Sequence, residues 1–239
     1  MGLVINDVSL SRAMKVSLKR GLARQALSQA VKVDADSGRI MTSLQQLRPN
    51  RVAMERKVVK LRAVAGVVRA GISRDQIVII LRNVRDVVMK TEAQELFQER
   101  ALIYSRLTAS AGNRSIRLAV HRASFCLHSL ERFIERSSLS VNAPLLPAVD
   151  AEAAHLLTLL SSRELIADNG DHYGTAKHDG VWAGSEDTSR AESEWGFCDP
   201  TGSLSIPIFS ARTFLGPDEM RPLIYLHWKN DADGSIAKK

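Results

Sequence analysis

Apolar residues recur at helix-like spacing along the first hundred residues, and this regularity favours folds that begin with several helices. Residues 8–31 carry such a series, Leu10, Met14, Leu18, Leu22 and Leu27, with basic residues towards the other side. Residues 51–70 predict a second, basic helix. Ser73 followed by Gln76 has the pattern of a capping box, so we expect a helix over 74–90 and another over 92–108.

The pattern changes at residues 109–113, ASAGN, whose small and polar residues indicate a boundary. Beyond it we expect strands at 116–122, 180–183, 204–215 and 223–228, helices at 126–137 and 150–160, and a mobile loop near 186–194. The predicted fold class is therefore α+β. A basic helical N-terminal region, 1–112, precedes a small α+β domain, 113–239, in which helices pack on an antiparallel sheet.

Charge is distributed unevenly along the chain. Residues 1–140 hold 25 Lys and Arg against 11 Asp and Glu, whereas residues 141–239 hold 8 against 15. A net charge of +14 in the first part indicates an acidic partner, most commonly nucleic acid. We predict nucleic-acid contacts from Arg56, Lys57 and Lys60. Two alternatives stay open: these cations form an ordinary solvated surface, or the basic part docks on the acidic part of the same molecule.

The remaining composition bounds the compartment and the ligands. The N-terminal residues lack a long apolar stretch followed by a cleavage site, and the longest aliphatic run, Ile77–Leu81, is far too short to span a membrane. With only two cysteines, a disulfide framework is not expected. We therefore expect a cytoplasmic protein without a membrane partner, and no pattern indicates a metal or a small-molecule cofactor.

The stretch CLHSLERFIERSSL, residues 126–139, carries the strongest candidate for catalysis. On a helix, His128, Arg132 and Glu135 share one narrow stripe, and Leu130 lies on the opposite, apolar face. Histidine and glutamate can move the protons needed to cleave a phosphodiester, and arginine can hold the phosphate, without a metal ion. The alternative is an ordinary surface helix with exposed charges that stabilise it by at most a few tenths of a kcal/mol.

The motif HSLERFIER is similar to the His-Ala-x-x-Arg-x-x-Glu-Arg helix of small bacterial domains related to barnase-like and RelE-like ribonuclease toxins. The resemblance implies a helix packed on an antiparallel sheet, with active-site residues drawn from that helix and from late strands. The residues that it implies are His128, Arg132, Glu135 and Arg136 from the helix, Arg212 and Thr213 from SARTFL, and Tyr225 and His227 from LIYLHWK. Ser129 replaces the usual alanine, and residues 140–203 form a long insertion.

We accordingly predict a catalytic set of His128, Arg132, Glu135, Arg212 and His227, with Arg136 binding nucleic acid. The predicted function is nucleic-acid-directed, with a metal-independent, toxin-type ribonuclease as its specific form, so RNA is the favoured partner. The alternative is a non-enzymatic basic protein that binds nucleic acid or an acidic protein.

Two further patterns have competing interpretations. VVRAGISRDQIVII, residues 67–80, has the spacing of a DNA-reading helix-turn-helix, but its second helix would carry few polar groups, so a buried helical hairpin is favoured. DNGDHYGTAKHDG, residues 168–180, is rich in potential metal ligands without the spacing of an established metal site, so a loop is favoured.

Overall fold

The computed structural model describes residues 12–48, 50–90, 96–111, 116–140, 142–191, 195 and 205–236. The described helices are α1 (Arg12–Lys32), α2 (Ser37–Gln45), α3 (Arg51–Arg62), α4 (Leu127–Arg136), α5 (Leu145–Ser162) and α6 (Pro222–Ile236). The described strands are β1 (Val67–Ser73), β2 (Gln76–Lys90), β3 (Leu96–Ala111), β4 (Ile116–Cys126), β5 (Ile166–Asp168), β6 (Asp171–Thr175), β7 (Val181–Arg190) and β8 (Ser205–Leu215).

All eight strands form one mixed sheet in the order β1-β2-β3-β4-β8-β7-β6-β5. Strands β1 to β4 pair antiparallel in sequence order, and β5 to β8 do the same. The two groups join where Arg122–Phe125 of β4 pairs in parallel with Ile208–Ala211 of β8. The predicted α+β class is confirmed, and the sheet departs from a purely antiparallel one at this single pairing.

One face of the sheet is covered by α1, α4 and α5. Their apolar residues share a core with Ile80 of β2, Phe125 of β4 and Trp182 of β7. A buried ion pair reinforces the layer, because Arg82 of β2 binds Asp150 of α5 with an N–O distance of 2.5 Å. This face therefore joins helices from both predicted domains, 1–112 and 113–239, to strands from both.

The opposite face carries two separate cores. Helices α2 and α3 pack over Ile77, Ile79 and Leu81 of β2. Near the other end of the sheet, Ile224 of α6 packs with Val181 and Ala183 of β7. Successive residues of a strand point to opposite faces of the sheet. Trp182 packs beneath α4, whereas Val181 and Ala183 on either side of it pack beneath α6. Helices α4 and α6 therefore lie on opposite faces.

The helices predicted over 74–90 and 92–108 are wrong, because these residues form the long strands β2 and β3. Residues 67–80, the candidate helix-turn-helix, form β1, a tight turn and the start of β2. Arg74 in that turn has a φ of 53°, a left-handed conformation common in tight turns and foreign to a helix. The predicted basic helix over 51–70 ends earlier, at Arg62, and is followed by Gly66 with a φ of +72°.

Two predictions in the C-terminal part are also wrong. Residues 223–228 lie in α6 and not in a strand, and Pro222 begins that helix at a position where proline costs no hydrogen bond. The segment 186–190, predicted as part of a mobile loop, belongs to β7, while 192–194 lie outside the described residues. The predicted elements at α4, β4 and β8 are confirmed within a few residues of their bounds, and the strand predicted at 180–183 is the start of β7. The helix predicted over 150–160 is also present, but α5 begins five residues earlier, at Leu145.

Strand pairing crosses the predicted domain boundary after residue 112. Strands β3 and β4 lie on either side of it and pair continuously from Ala101 opposite Cys126 to Ala111 opposite Ile116. The two predicted domains therefore contribute to one sheet. Within the described part of the chain, none of the helices combines the length and the apolar character needed to cross a membrane.

Candidate functional site

Helix α4 follows β4 directly and packs its apolar side on the sheet. Cys126 caps the helix, because its Sγ accepts a hydrogen bond from the Ser129 amide at 3.5 Å. Leu130 and Phe133 are fully buried beside Trp182 and Phe214. The predicted division of this helix into a buried apolar face and a charged stripe is confirmed.

The charged stripe is only partly assembled into a site. His128 is exposed in the first turn of α4, and one turn later Arg132 donates to Glu135 at 2.7 Å. Partial burial raises the pKa of Glu135, but the hydrogen bond and charge of Arg132 outweigh it, so the pKa lies below its usual value. The shift keeps Glu135 a carboxylate and makes it a weaker base, so this arrangement suits it to holding Arg132.

Arg136 serves to attach the end of α4 to the sheet. Its guanidinium donates to the Phe214 carbonyl at 2.7 Å and to Thr213 Oγ1 at 3.3 Å. The same side chain forms an ion pair with Glu219 at 2.7 Å. Arg136, predicted to bind nucleic acid, thus has three protein partners, and a phosphate would have to displace some of them.

Among the described side chains, neither Arg212 nor His227 has a hydrogen bond or ion pair with α4. Arg212 occupies the register break in β8, where Ala183 pairs with Thr213 and Gly184 with Ala211, and it lies 3.7 Å from Asp171. His227 is exposed on α6, which lies on the opposite face of the sheet from α4. The structure brings Arg132 and Glu135 together and leaves His227 on the other side of the sheet.

The residues predicted to bind nucleic acid on α3 divide into free and engaged side chains. Arg56 and Lys60 are exposed on successive turns, and neither side chain has a hydrogen bond or an ion pair among the described residues. Lys57 is half-buried and donates to the carbonyl and the hydroxyl of Ser43 at 2.9 and 3.0 Å. Lys57 therefore ties α3 to α2, whereas its two neighbours remain available to a ligand.

Two further arginines lie where α3 meets the edge of the sheet, and Arg62 is about 200° around the helix from Lys60, so it lies on a different side of α3 from Lys60. Arg62 donates from Nε to the Ala70 carbonyl of β1 at 2.8 Å, which covers part of an edge strand. Arg62 and Arg69 line an open cleft of about 350 Å³ beside this strand. We call the exposed pair Arg56 and Lys60 the basic surface.

The surrounding segment is almost without compensating charge. Residues 37–75, which span α2, α3 and β1, contain nine Lys and Arg and only two acidic residues, Glu55 and Asp75. Glu55 is already paired with Arg51 at 3.0 Å. The positive potential of this segment is therefore little neutralised from within the segment itself.

Sequence reasoning missed a buried carboxylate on α5. Glu152 has no exposed surface and accepts hydrogen bonds from the amides of Lys177 and His178 and from Trp182 Nε1, each at 3.1 Å. The His178 ring nitrogen Nδ1 lies 2.6 Å from Glu152 Oε1. A carboxylate only accepts, so His178 donates from Nδ1 and presents Nε2 to other groups. The signal in the sequence was a lone glutamate among the apolar residues of AEAAHLL.

The ligand-rich segment 168–180 is not gathered into a metal site. Asp168 pairs with Arg221 at 3.1 Å, and His172 lies 3.8 Å from Glu186. In the part of the chain that the structure describes, no three His, Cys, Asp or Glu side chains converge as metal ligands.

Comparison of the chain with known proteins adds no relative to this description. No family model, no curated protein and no solved structure matches it.

Proposed function

We propose that this protein binds nucleic acid through the basic surface on α3. The observation that carries the proposal is the pair Arg56 and Lys60, exposed on successive helical turns without a partner among the described residues. A cation that is already paired gives up one contact to make another, whereas these two can bind phosphate directly. Neutralising phosphates releases counterions, and this release drives binding that is independent of sequence.

The proposal is tested by reversing those two charges. Arg56→Glu with Lys60→Glu should weaken binding to a nucleic-acid oligomer by at least about tenfold, because both phosphate contacts become repulsive. The matched control is Arg163→Glu with Lys229→Glu, two other exposed cations whose reversal changes the net charge equally. Fluorescence anisotropy measures the affinities, and circular dichroism checks that each variant is folded. Equal losses in both double variants would contradict a localised binding surface.

An acidic protein is the alternative ligand for the same surface, and two exposed valines favour it. Val52 and Val59 flank Arg56 on the outer side of α3, with 53% and 66% of their surfaces exposed. A protein partner would bury these methyl groups, whereas phosphate contacts do not need them. Val52→Ser with Val59→Ser should therefore leave nucleic-acid affinity unchanged. A loss of nucleic-acid affinity comparable to that of the charge-reversal variant would contradict binding through phosphate contacts alone.

A ribonuclease centred on α4 is the second candidate function. It is favoured by the exposed His128 one turn before Arg132, a pair suited to moving a proton beside a bound phosphate. If His128 acts as acid or base, His128→Ala should slow RNA cleavage in EDTA by ~10²–10⁴-fold. His227→Ala, an exposed histidine on the opposite face, is the matched control and should cleave normally. Absence of cleavage by the unmodified protein would remove this candidate and leave the binding proposal intact.

A further inference from the structure

The basic surface lacks an aromatic side chain on which a nucleic-acid base could stack. Residues 37–75 contain no Phe, Trp, Tyr or His. Proteins that hold single strands combine a basic groove with aromatic side chains, each stacked base contributing about 1–3 kcal/mol to affinity. That contribution is missing from α2, α3 and β1.

Aromatic residues elsewhere do not extend the surface. Most aromatic side chains that the structure describes are buried: Tyr104, Phe125, Phe133, Tyr173, Trp182, Trp195, Phe209 and Phe214. Tyr225 and Trp228 are more accessible, but both lie on α6. Helix α6 packs near the β5 edge of the sheet, whereas the basic surface lies at the β1 edge. The width of the sheet separates Arg56 and Lys60 from the rings of Tyr225 and Trp228.

Groups that could read base edges are also scarce around Arg56 and Lys60. The outer side of α3 presents Val52, Val59 and Ala63, which have no polar side-chain atoms. Asn50 at the start of the helix is occupied as its cap and accepts from the amides of Val52 and Ala53. Contacts to the sugar-phosphate backbone position a protein but carry no sequence information.

We infer that the ligand is double-stranded nucleic acid, bound by its phosphates without regard to sequence. This inference rests on the proposed function and names its ligand class. A duplex concentrates charge at one phosphate per about 1.7 Å of axis, twice that of one strand, so a surface of cations alone gains more from it. Duplex RNA and duplex DNA share this chemistry.

The test compares each strand with its own duplex. Anisotropy is measured with a 20-nucleotide RNA, the same sequence as DNA, and the duplex of each, together with a second duplex of unrelated sequence. At least one type of duplex should bind about tenfold or more tightly than its single strand. The duplex of unrelated sequence should have an affinity within about threefold of that of the first duplex. Arg56→Glu with Lys60→Glu should abolish most of that difference, and Tyr225→Ala should leave it unchanged.

Each adverse outcome identifies which proposal fails. Single strands bound as tightly as duplexes would overturn the inference, and if the charge-reversal variant still weakened them, the basic surface would stand as a nucleic-acid site. A loss of single-strand binding in Tyr225→Ala would place the ligand on α6 and overturn the inference. Failure to bind any of these oligomers would overturn both proposals.

Discussion

Glu152 illustrates how one buried charge can organise a turn of the chain. Its carboxylate lies on the buried side of α5 and accepts hydrogen bonds from the amides of Lys177 and His178, from the His178 ring and from the Trp182 indole. These donors belong to the turn between β6 and β7 and to the start of β7. A buried carboxylate is tolerated because hydrogen bonds replace its lost hydration.

Glu152→Gln should destabilise the protein by about 2–4 kcal/mol, because an amide turns a donor group towards donors and leaves buried hydrogen bonds unmade. Urea denaturation measures the free energy of unfolding. Glu164→Gln, the same change at an exposed position after α5, is the matched control and should alter stability by less than about 0.5 kcal/mol. Equal effects at the two positions would contradict the role of Glu152.

His155 gives the protein an expected sensitivity to acid. Burial lowers the pKa of this half-buried histidine, Glu152 raises it in part, and Lys177 lowers it further, so the net pKa lies below its usual value. The unfolded chain therefore binds a proton that the folded protein resists, and stability falls as pH drops from about 6.5 through the folded-state pKa.

His155→Gln should reduce the loss of unfolding free energy between pH 7 and pH 5, measured by urea denaturation at both values. Some loss should remain, since burial and the nearby Arg106 also lower the pKa of His121. Thr158→Ala on the exposed side of α5 should shift both values equally. A pH dependence that is identical in His155→Gln and the unmodified protein would rule out the assigned role.

Strand β2 explains why the sequence predicted a helix where the structure has a strand. Ile77, Ile79 and Leu81 pack beneath α2 and α3, while Ile80 faces the core under α1 and α5. Because both faces are covered, polar residues do not alternate with apolar ones, and the two-residue period is hidden. Strand β4, whose outer half is only partly covered, retained its alternation and was predicted correctly.

The sequence predicted those features of the candidate site that depend on the single helix α4. The apolar face of α4 and the pairing of Arg132 with Glu135 follow from local spacing. The placement of Lys57 against Ser43 and of His227 on α6 depends on how distant segments pack, which spacing within a segment does not contain. Tyr225 and His227 share a face on a strand, but on a helix they lie about 200° apart.

The junction between α3 and β1 depends on a glycine. Gly66 has a φ of +72°, and a Cβ there would overlap the backbone of Ala35. Gly66→Ala should therefore destabilise the protein by more than about 1 kcal/mol. Gly71→Ala within β1 is the matched control, because nothing lies within 4 Å of its added Cβ. Thermal unfolding measures both variants, and a Gly66→Ala melt no lower than that of Gly71→Ala would contradict this assignment.

At the scale of the whole molecule, the two predicted domains, 1–112 and 113–239, share one sheet and one main core. Helix α1 packs with α4 and α5, and β3 pairs with β4 over eleven residues. We expect the two parts to unfold together, because separating them would expose this shared core.

Fluorescence of Trp182, Trp195 and Trp228 reports on the second part, and amide hydrogen exchange in β2 reports on the first. The two transitions in urea should coincide. Loss of protection in β2 at a lower urea concentration than the fluorescence change would instead support two independently folding domains divided near residue 112.

The central claim is that Arg56 and Lys60 contact phosphates, and the salt dependence of duplex binding tests it most directly. The logarithm of the affinity should fall linearly with the logarithm of salt concentration, by about 0.9 per phosphate neutralised. Arg56→Ala with Lys60→Ala should reduce the steepness of that slope by about 2, one unit for each lost contact. A variant that binds with the same slope as the unmodified protein would place the phosphate contacts elsewhere and contradict the account.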